Sequence, residues 1–172
     1  SRIRNCNRTD EGNRKILMKG VHPMETLRFS DFLDSYIQTM PDSMQDGMLY
    51  RLTYAENLTR LTFYVTFPQL VPANDLFSLE KTLQQALEIE TVRIAPNYAA
   101  TLCQTAYSPE LLQLLKREQP VVNGFFDHAQ IQQDGQNWTI TLKNGGYEIV
   151  QRYHVAEQLQ NLLQRLFSVS IK

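Results

Sequence analysis

The sequence predicts an α+β protein made of two small two-layer modules, each in the order helix–strand–strand–helix–strand. Apolar residues recur at helical spacing in some segments and alternate in others, which are the periods of amphipathic helices and half-buried strands. Proline, glycine and asparagine turns separate these segments, and the order of elements repeats once along the 172 residues. We therefore divide the chain into a basic leader (1–23), a first module (24–106) and a second module (107–172).

The first module is expected to begin with a helix. Apolar residues at helical spacing run from Leu27 to Met40, and Pro41 follows the last turn. Ser30 or Asp31 would cap this helix if it begins slightly later.

Two strands and a second helix follow. The strands are Met48–Tyr54, with Met48, Tyr50, Leu52 and Tyr54 on one face, and Leu58–Phe67, with Leu61, Phe63, Val65 and Phe67 on one face. Asn74 or Asp75 would cap the helix, whose apolar stripe is Leu76, Leu79, Leu83, Ala86 and Leu87. A short strand, Thr91–Ala95, is closed by Pro96. One shared core is predicted from Leu33, Tyr36, Leu52, Phe63, Val65, Leu83 and Ile94.

The second module repeats the order. Ser108 is expected as the N-cap and Pro109 as the first residue of a helix that Pro120 ends. A strand over Ala129–Gln133 and a turn at Asp134-Gly135 predict a hairpin, with Trp138, Ile140 and Leu142 alternating along its second strand. After Asn144-Gly145-Gly146 we expect a long helix, Tyr147–Phe167, and a last strand, Ser168–Lys172.

Charge is unevenly spread along the chain. The leader has a net charge of +4, which leaves −5 on the other residues. Such a leader is either a disordered extension or a weak phosphate-binding arm, and its candidate nucleic-acid contacts are Arg2, Arg4, Arg8, Arg14, Lys15 and Lys19. Any DNA affinity should then come mainly from these side chains and be steeply salt-sensitive.

Composition favours a soluble cytoplasmic protein. No apolar run approaches the roughly 20 residues that span a bilayer, and no apolar segment of a signal peptide follows the first basic residues. Cys6 and Cys103 lie far apart, without a zinc-ligand spacing, so neither a disulfide framework nor a metal site is expected.

The sequence shows no catalytic constellation. His22, His128 and His154 are scattered, and the last is expected within the long helix. The acidic pair Asp31 and Asp34 has no matching second pair, so a solvated helix face is favoured over a metal site. Asn144-Gly145-Gly146 lacks the frame of a phosphate-binding loop and is interpreted as a turn. No cofactor, metal, small-molecule ligand or membrane partner is therefore predicted.

One stretch nevertheless resembles a known family. Residues 108–124, with a Ser-Pro start, a leucine helix, a proline and a glycine, are similar to the N-terminal region of the PolC-type (Gram-positive-type) DNA polymerase III α subunit. The first module resembles the opening module of that family, including the stretch from Leu76 through Ile94 to Tyr98. The resemblance covers about Met24–Lys172 and consists of hydrophobic spacing and turns.

The resemblance implies two accessory modules of a DNA-directed DNA polymerase with 3′–5′ exonuclease activity. It likens the first module to the polymerase-binding domain of the clamp-loader τ subunit and the second to a K-homology-like fold. Residues 108–172 contain no Gly-x-x-Gly, the loop by which K-homology domains clamp the nucleic-acid backbone. No polymerase or exonuclease carboxylate can be assigned to any position.

Two functions follow as hypotheses. The preferred one is non-catalytic docking of replisome proteins, because the acidic body favours a protein partner over phosphates. The alternative is binding of single-stranded nucleic acid, for which strand aromatics such as Tyr50 and Tyr64 have only Arg51 and Arg60 as basic neighbours in sequence. On the preferred hypothesis, contact with DNA is made through the parent polymerase.

Overall fold

The computed structural model describes residues 22–171 except residues 56 and 58, with residues 22–24 described by their backbone alone. The first half contains strands and helices in the order β1 (His22–Arg28), α1 (Phe29–Leu33), β2 (Met48–Tyr54), β3 (Arg60–Thr66), α2 (Ala73–Leu87) and β4 (Thr91–Asn97). The second half contains α3 (Ser108–Glu118), β5 (Gln130–Asp134), β6 (Asn137–Thr141), α4 (Tyr147–Arg152) and α5 (Val155–Phe167).

The first half is a four-stranded sheet in the order β1-β2-β3-β4. Neighbours pair antiparallel except β3 and β4, which are parallel because α2 carries the chain across between them. One face of the sheet is buried under α1 and α2, and its core side chains include Leu33, Leu52, Phe63, Val65, Leu83 and Ile94. The predicted shared core is thus confirmed, with Tyr36 packed at its edge as a half-buried residue.

The expected first helix is mostly wrong. Residues 22–28 form β1, so the predicted leader boundary at residue 23 falls inside a strand, and helix α1 has only 5 residues. Neither Ser30 nor Asp31 caps it, because Arg28 occupies the N-cap position. The helical spacing of Leu27–Met40 predicted a helix from Leu27, but Leu27 and Arg28 pair with β2 as part of β1.

A β-bulge changes the faces predicted for β2. The register shifts between Leu49 and Arg51, so Tyr50 has no partner on β3. Leu49 and Leu52 are buried, whereas Met48 and Tyr50 are exposed, which contradicts the predicted alternation. The predicted face of β3 is confirmed, since Leu61, Phe63, Val65 and Phe67 are all buried.

Helix α2 lies where predicted but begins differently. Pro72 is its N-cap residue, so neither Asn74 nor Asp75 has that role. The backbone N–H of Ala73 donates instead to Glu110 Oε2 at 2.6 Å, a carboxylate supplied by α3. Leu76, Leu79 and Leu83 are buried, but Ala86 is exposed.

The second half departs from the predicted order at its end. Helix α3 and the β5–β6 hairpin are confirmed, although Ser108 is the first helical residue and Tyr107 the N-cap. The long helix is broken into α4 and α5 at His154, whose φ of 51° is left-handed. Residues 168–171 form no strand. The two halves therefore do not share one order of elements.

The two halves pack against each other through one contiguous core. Tyr98 is buried between Phe67, Tyr107 and Phe167, with ring centroids 5.4–6.3 Å away. The Tyr107 hydroxyl donates to the Val71 carbonyl at 2.6 Å, and the Tyr98 N–H donates to the Leu166 carbonyl at 2.7 Å. Helix α5 is thereby held beside β4.

Candidate functional site

The predicted nucleic-acid contacts of the leader lie outside the described residues; they are Arg2, Arg4, Arg8, Arg14, Lys15 and Lys19. The acidic pair Asp31 and Asp34 is exposed at α1. Within the described part of the chain, no group of three His, Cys, Asp or Glu side chains is placed to hold a metal ion. The helices described there are also too short or too polar to cross a membrane.

His128, His154 and Cys103 are not brought together. His128 is exposed at the start of the hairpin, and His154 lies between α4 and α5 with Nδ1 3.5 Å from Glu157 Oε1. This corrects the expectation that His154 lies within a helix. Cys103 is half-buried, and burial raises the pKa of its thiol, which makes it a poorer nucleophile.

The loop Asn144-Gly145-Gly146 is a turn, as its sequence predicts. Both glycines have positive φ, 72° and 89°, and a Cβ on Gly146 would clash with the Phe125 ring. The Asn144 amide donates to the carbonyl of Asp127 at 3.1 Å, which fixes the loop against the segment before the hairpin.

This loop closes one end of an apolar groove between the hairpin and the last two helices. The groove has a volume of about 500 Å³, and we name it by its main lining residues: Trp138, Ile140, Leu142, Tyr147, Val150, Ala156 and Leu159. Tyr147, on its rim, is 67% exposed. A pocket of this size, lined almost wholly by apolar side chains, is typical of binding sites.

The wall of the apolar groove contains a buried polar atom. Trp138 Nε1 is shielded from solvent and has no hydrogen-bond acceptor among the described residues. A buried donor left without an acceptor costs about 1–3 kcal/mol.

A second surface lies on the outer face of the four-stranded sheet. It is a cleft of about 670 Å³ between the strands and α3 and α5. We call it the basic face and define it by its charged and aromatic residues: Tyr50, Arg51, Arg60, Tyr64, Arg93, Arg117 and Arg165. Of these residues, the sequence indicated only the four on β2 and β3: Tyr50, Arg51, Arg60 and Tyr64.

A buried glutamate organises one end of the basic face. Glu80 on α2 is 3% exposed and accepts the Ile94 N–H at 3.0 Å. Its other oxygen accepts from Arg117 and lies 3.8 Å from the Arg93 guanidinium. Glu80 therefore joins α2, β4 and α3 and orients two of the five arginines.

The other arginines are held differently. Arg51 stacks over the Tyr64 ring, with Cζ 3.9 Å from the ring centroid. Arg165 Nη2 donates to both carboxylate oxygens of Glu118, at 2.8 and 2.9 Å. Five arginines thus face two glutamates, Glu80 and Glu118, on this surface.

The pKa of Tyr64 reflects this positive charge. Burial raises its pKa, but hydrogen bonds from Arg51 and Thr53 and the charges of Arg51 and Arg165 outweigh burial. The pKa of Tyr64 therefore lies below its ordinary value.

Sequence reasoning missed the basic face because its arginines come from both halves. Arg93 on β4 could have been found, since a parallel β3–β4 pair places it opposite Thr62. Arg117 and Arg165 reach the cleft only through the packing of α3 and α5 on the first half, for which their spacing contains no signal.

Comparison with known proteins gives one match. Residues 28–95, which contain α1, the β2–β3 pair, α2 and most of β4, match the family model described as DNA polymerase III polC-type N-terminus I. No curated protein and no solved structure matches the chain significantly. The resemblance of the first module is confirmed over this range, and the K-homology-like resemblance of the second remains a prediction. Over residues 28–95 the chain is thus similar to the N-terminal domains of PolC-type DNA polymerase III.

Proposed function

We propose that the chain is a non-catalytic accessory region of a bacterial replicative polymerase that docks a replisome protein in its apolar groove. The observation that carries this proposal is the groove itself, with about 500 Å³ of open apolar volume and an exposed tyrosine on its rim. Soluble proteins seldom expose a concave apolar surface that no ligand or partner covers.

The chemistry of the groove favours a particular partner. Its lining is nearly uncharged, and Trp138 Nε1 is a hydrogen-bond donor without an acceptor among the described residues. An apolar peptide segment would bury its side chains here, and a small rotation of the indole would bring the N–H to a backbone carbonyl. The partner is therefore a protein with an exposed apolar segment. The resemblance to interaction modules of the replisome supports the same assignment.

The proposal is tested with purified replisome proteins offered one at a time to the immobilised chain. Ala156→Glu introduces a charge into the groove at an exposed position in the first turn of α5, where an acidic side chain suits the helix. Asn161→Glu adds the same charge to α5 outside the groove and serves as the matched control.

We expect one component to bind the parent chain and the Asn161→Glu variant equally, and the Ala156→Glu variant at least about tenfold more weakly because a charge buried in an apolar interface is costly. Equal binding by all three chains would show that docking, if it occurs, uses another surface. Failure of every component to bind the parent chain would refute the proposal.

A further inference from the structure

The proposed docking in the apolar groove does not involve the arginines of the basic face. The side chains of Arg93, Arg117 and Arg165 are 40%, 24% and 58% exposed. Arg51 and Arg60 are exposed as well. Like charges gathered on one cleft repel each other, so an anion bound there relieves the repulsion.

The electrostatics agree with this crowding. Burial lowers the pKa of Arg93, and the neighbouring charges of Arg117 and Arg60 lower it further, whereas Glu80 raises it. Glu80 compensates only part of the positive charge. The positions are also all arginine, whose planar guanidinium binds phosphate oxygens in pairs.

Aromatic rings are interleaved with the arginines. The rings of Tyr50 and Tyr64 lie 6.3 Å apart on adjacent strands, and Tyr50 is 36% exposed because the β-bulge turns it outward. Arg51, stacked on Tyr64, is exposed and lines the same cleft. Exposed rings and stacked guanidiniums are surfaces on which unpaired bases stack.

This combination selects among anions. An acidic peptide or a free phosphate would use the arginines but not the rings. A duplex offers phosphates but keeps its base faces within its own stack, whereas a single strand offers both groups to an open cleft.

We propose that the basic face binds single-stranded nucleic acid, with phosphates on the arginines and bases on Tyr50 and the Arg51–Tyr64 stack. The charge comes from both halves of the chain, so the site exists only when they are packed together.

The test must separate this surface from the basic leader. The background is the full chain with Arg2, Arg4, Arg8, Arg14, Lys15 and Lys19 changed to Gln. The test variant adds Arg51→Gln and Arg60→Gln, two exposed positions for which no acidic partner is observed among the described residues. The matched control adds Lys143→Gln and Arg152→Gln, which remove the same charge outside the cleft. Circular dichroism and thermal melting confirm that all three chains fold.

We expect the background and the control to bind a labelled single-stranded oligonucleotide with the same salt dependence. The test variant should bind at least about tenfold more weakly at 50 mM salt, and its slope of log K against log salt should be shallower by about 1.4 for the two lost phosphate contacts. Equal affinity and slope in test and control chains would overturn the proposal, as would no binding by the background chain.

A second arm distinguishes nucleic acid from other polyanions. Tyr50→Leu, which removes a ring but keeps an apolar side chain, should weaken oligonucleotide binding about fivefold or more and leave inorganic polyphosphate binding unchanged. Tyr153→Leu, another exposed tyrosine, is the control. If polyphosphate or polyglutamate binds as tightly as the oligonucleotide at equal charge, or Tyr50→Leu has no effect, the site is a general anion site and the proposal fails.

Discussion

At the scale of single residues, Glu80 links the stability of the chain to its basic face. It is a buried carboxylate that accepts hydrogen bonds from a strand N–H and from Arg117 and forms an ion pair with Arg93. Buried charges of this kind persist only when they are paired, and removing one partner is costlier than the pair itself is stabilising. The same pairing fixes where Arg93 and Arg117 point.

Replacing Glu80 should therefore destabilise the fold strongly. Glu80→Ala leaves the Ile94 N–H without its acceptor and removes the only acidic partner observed for Arg93 and Arg117 among the described residues. Because both guanidiniums are partly exposed, we expect a loss of about 2–3 kcal/mol in the free energy of unfolding. Glu80→Gln keeps an acceptor and should lose less. Urea unfolding measures both, with the exposed Glu148→Ala as control. A loss below 1 kcal/mol for Glu80→Ala would contradict this account.

The buried tyrosines give a pH dependence with a definite sign. Burial, then the neighbouring Tyr98 and Glu110, raises the pKa of Tyr107, and burial also raises the pKa of Tyr98. The folded state therefore holds these protons more tightly than the unfolded chain, whose tyrosines titrate near pH 10. Their contribution is complete below about pH 10 and is lost as the pH rises further.

Tyr107→Phe should accordingly lower stability at pH 8 by about 1–2 kcal/mol, because the hydrogen bond to the Val71 carbonyl is lost. Above pH 10 its unfolding free energy should fall less steeply than that of the parent chain, by up to about 1.4 kcal/mol per pH unit. Urea unfolding between pH 8 and pH 11 measures this, with the exposed Tyr147→Phe as control. Identical alkaline slopes in parent and variant chains would refute the argument.

At the scale of elements, the sequence predicted correctly those helices and strands whose formation depends on residues close together in the chain. Strand β3, helices α2 and α3 and the β5–β6 hairpin follow from turn residues and apolar spacing, and all were confirmed. The errors arose where tertiary pairing decides: β1 forms because β2 offers it an edge, and the bulge in β2 reverses the side-chain alternation.

The candidate sites show the same division. The glycine turn that closes the apolar groove was visible in the sequence, and Trp138, Ile140 and Leu142 were predicted as one alternating set on β6. The groove itself depends on the break between α4 and α5 at His154, where the apolar spacing predicts one continuous helix. The basic face depends on contacts between the halves and was missed.

Gly146 tests the element that closes the groove. Gly146→Ala requires a positive φ of 89° and also a shift of the Phe125 ring, so we expect a loss of about 2–4 kcal/mol in unfolding free energy. Gly135→Ala has a φ of 60° but no heavy atom within 4 Å, and should lose only about 1 kcal/mol. Equal losses in urea unfolding would show that the contact with Phe125 does not matter.

At the scale of the whole molecule, the two halves behave as one cooperative unit on this account. The Tyr98 cluster, the cap that Glu110 gives to α2, and the Arg117–Glu80 pair all join residues from both halves. A core shared in this way should unfold in one step.

The single tryptophan makes cooperativity measurable, because Trp138 reports only on the second half. Leu83→Ala, a buried change in α2, should shift the fluorescence transition of Trp138 by the same amount as the circular dichroism transition, with a loss of about 2–5 kcal/mol. A Trp138 transition that stays in place while the circular dichroism transition moves would show two independent domains.

The most direct test of the central claim, that the apolar groove docks a replisome protein, uses the same residue. Trp138 gives the only indole N–H resonance of the chain, and its side chain lines the groove. Titration with the replisome component that binds should move this resonance in the parent chain and in Asn161→Glu, and leave it in place in Ala156→Glu. A complex that forms with the parent chain while the Trp138 indole resonance does not move would contradict the account.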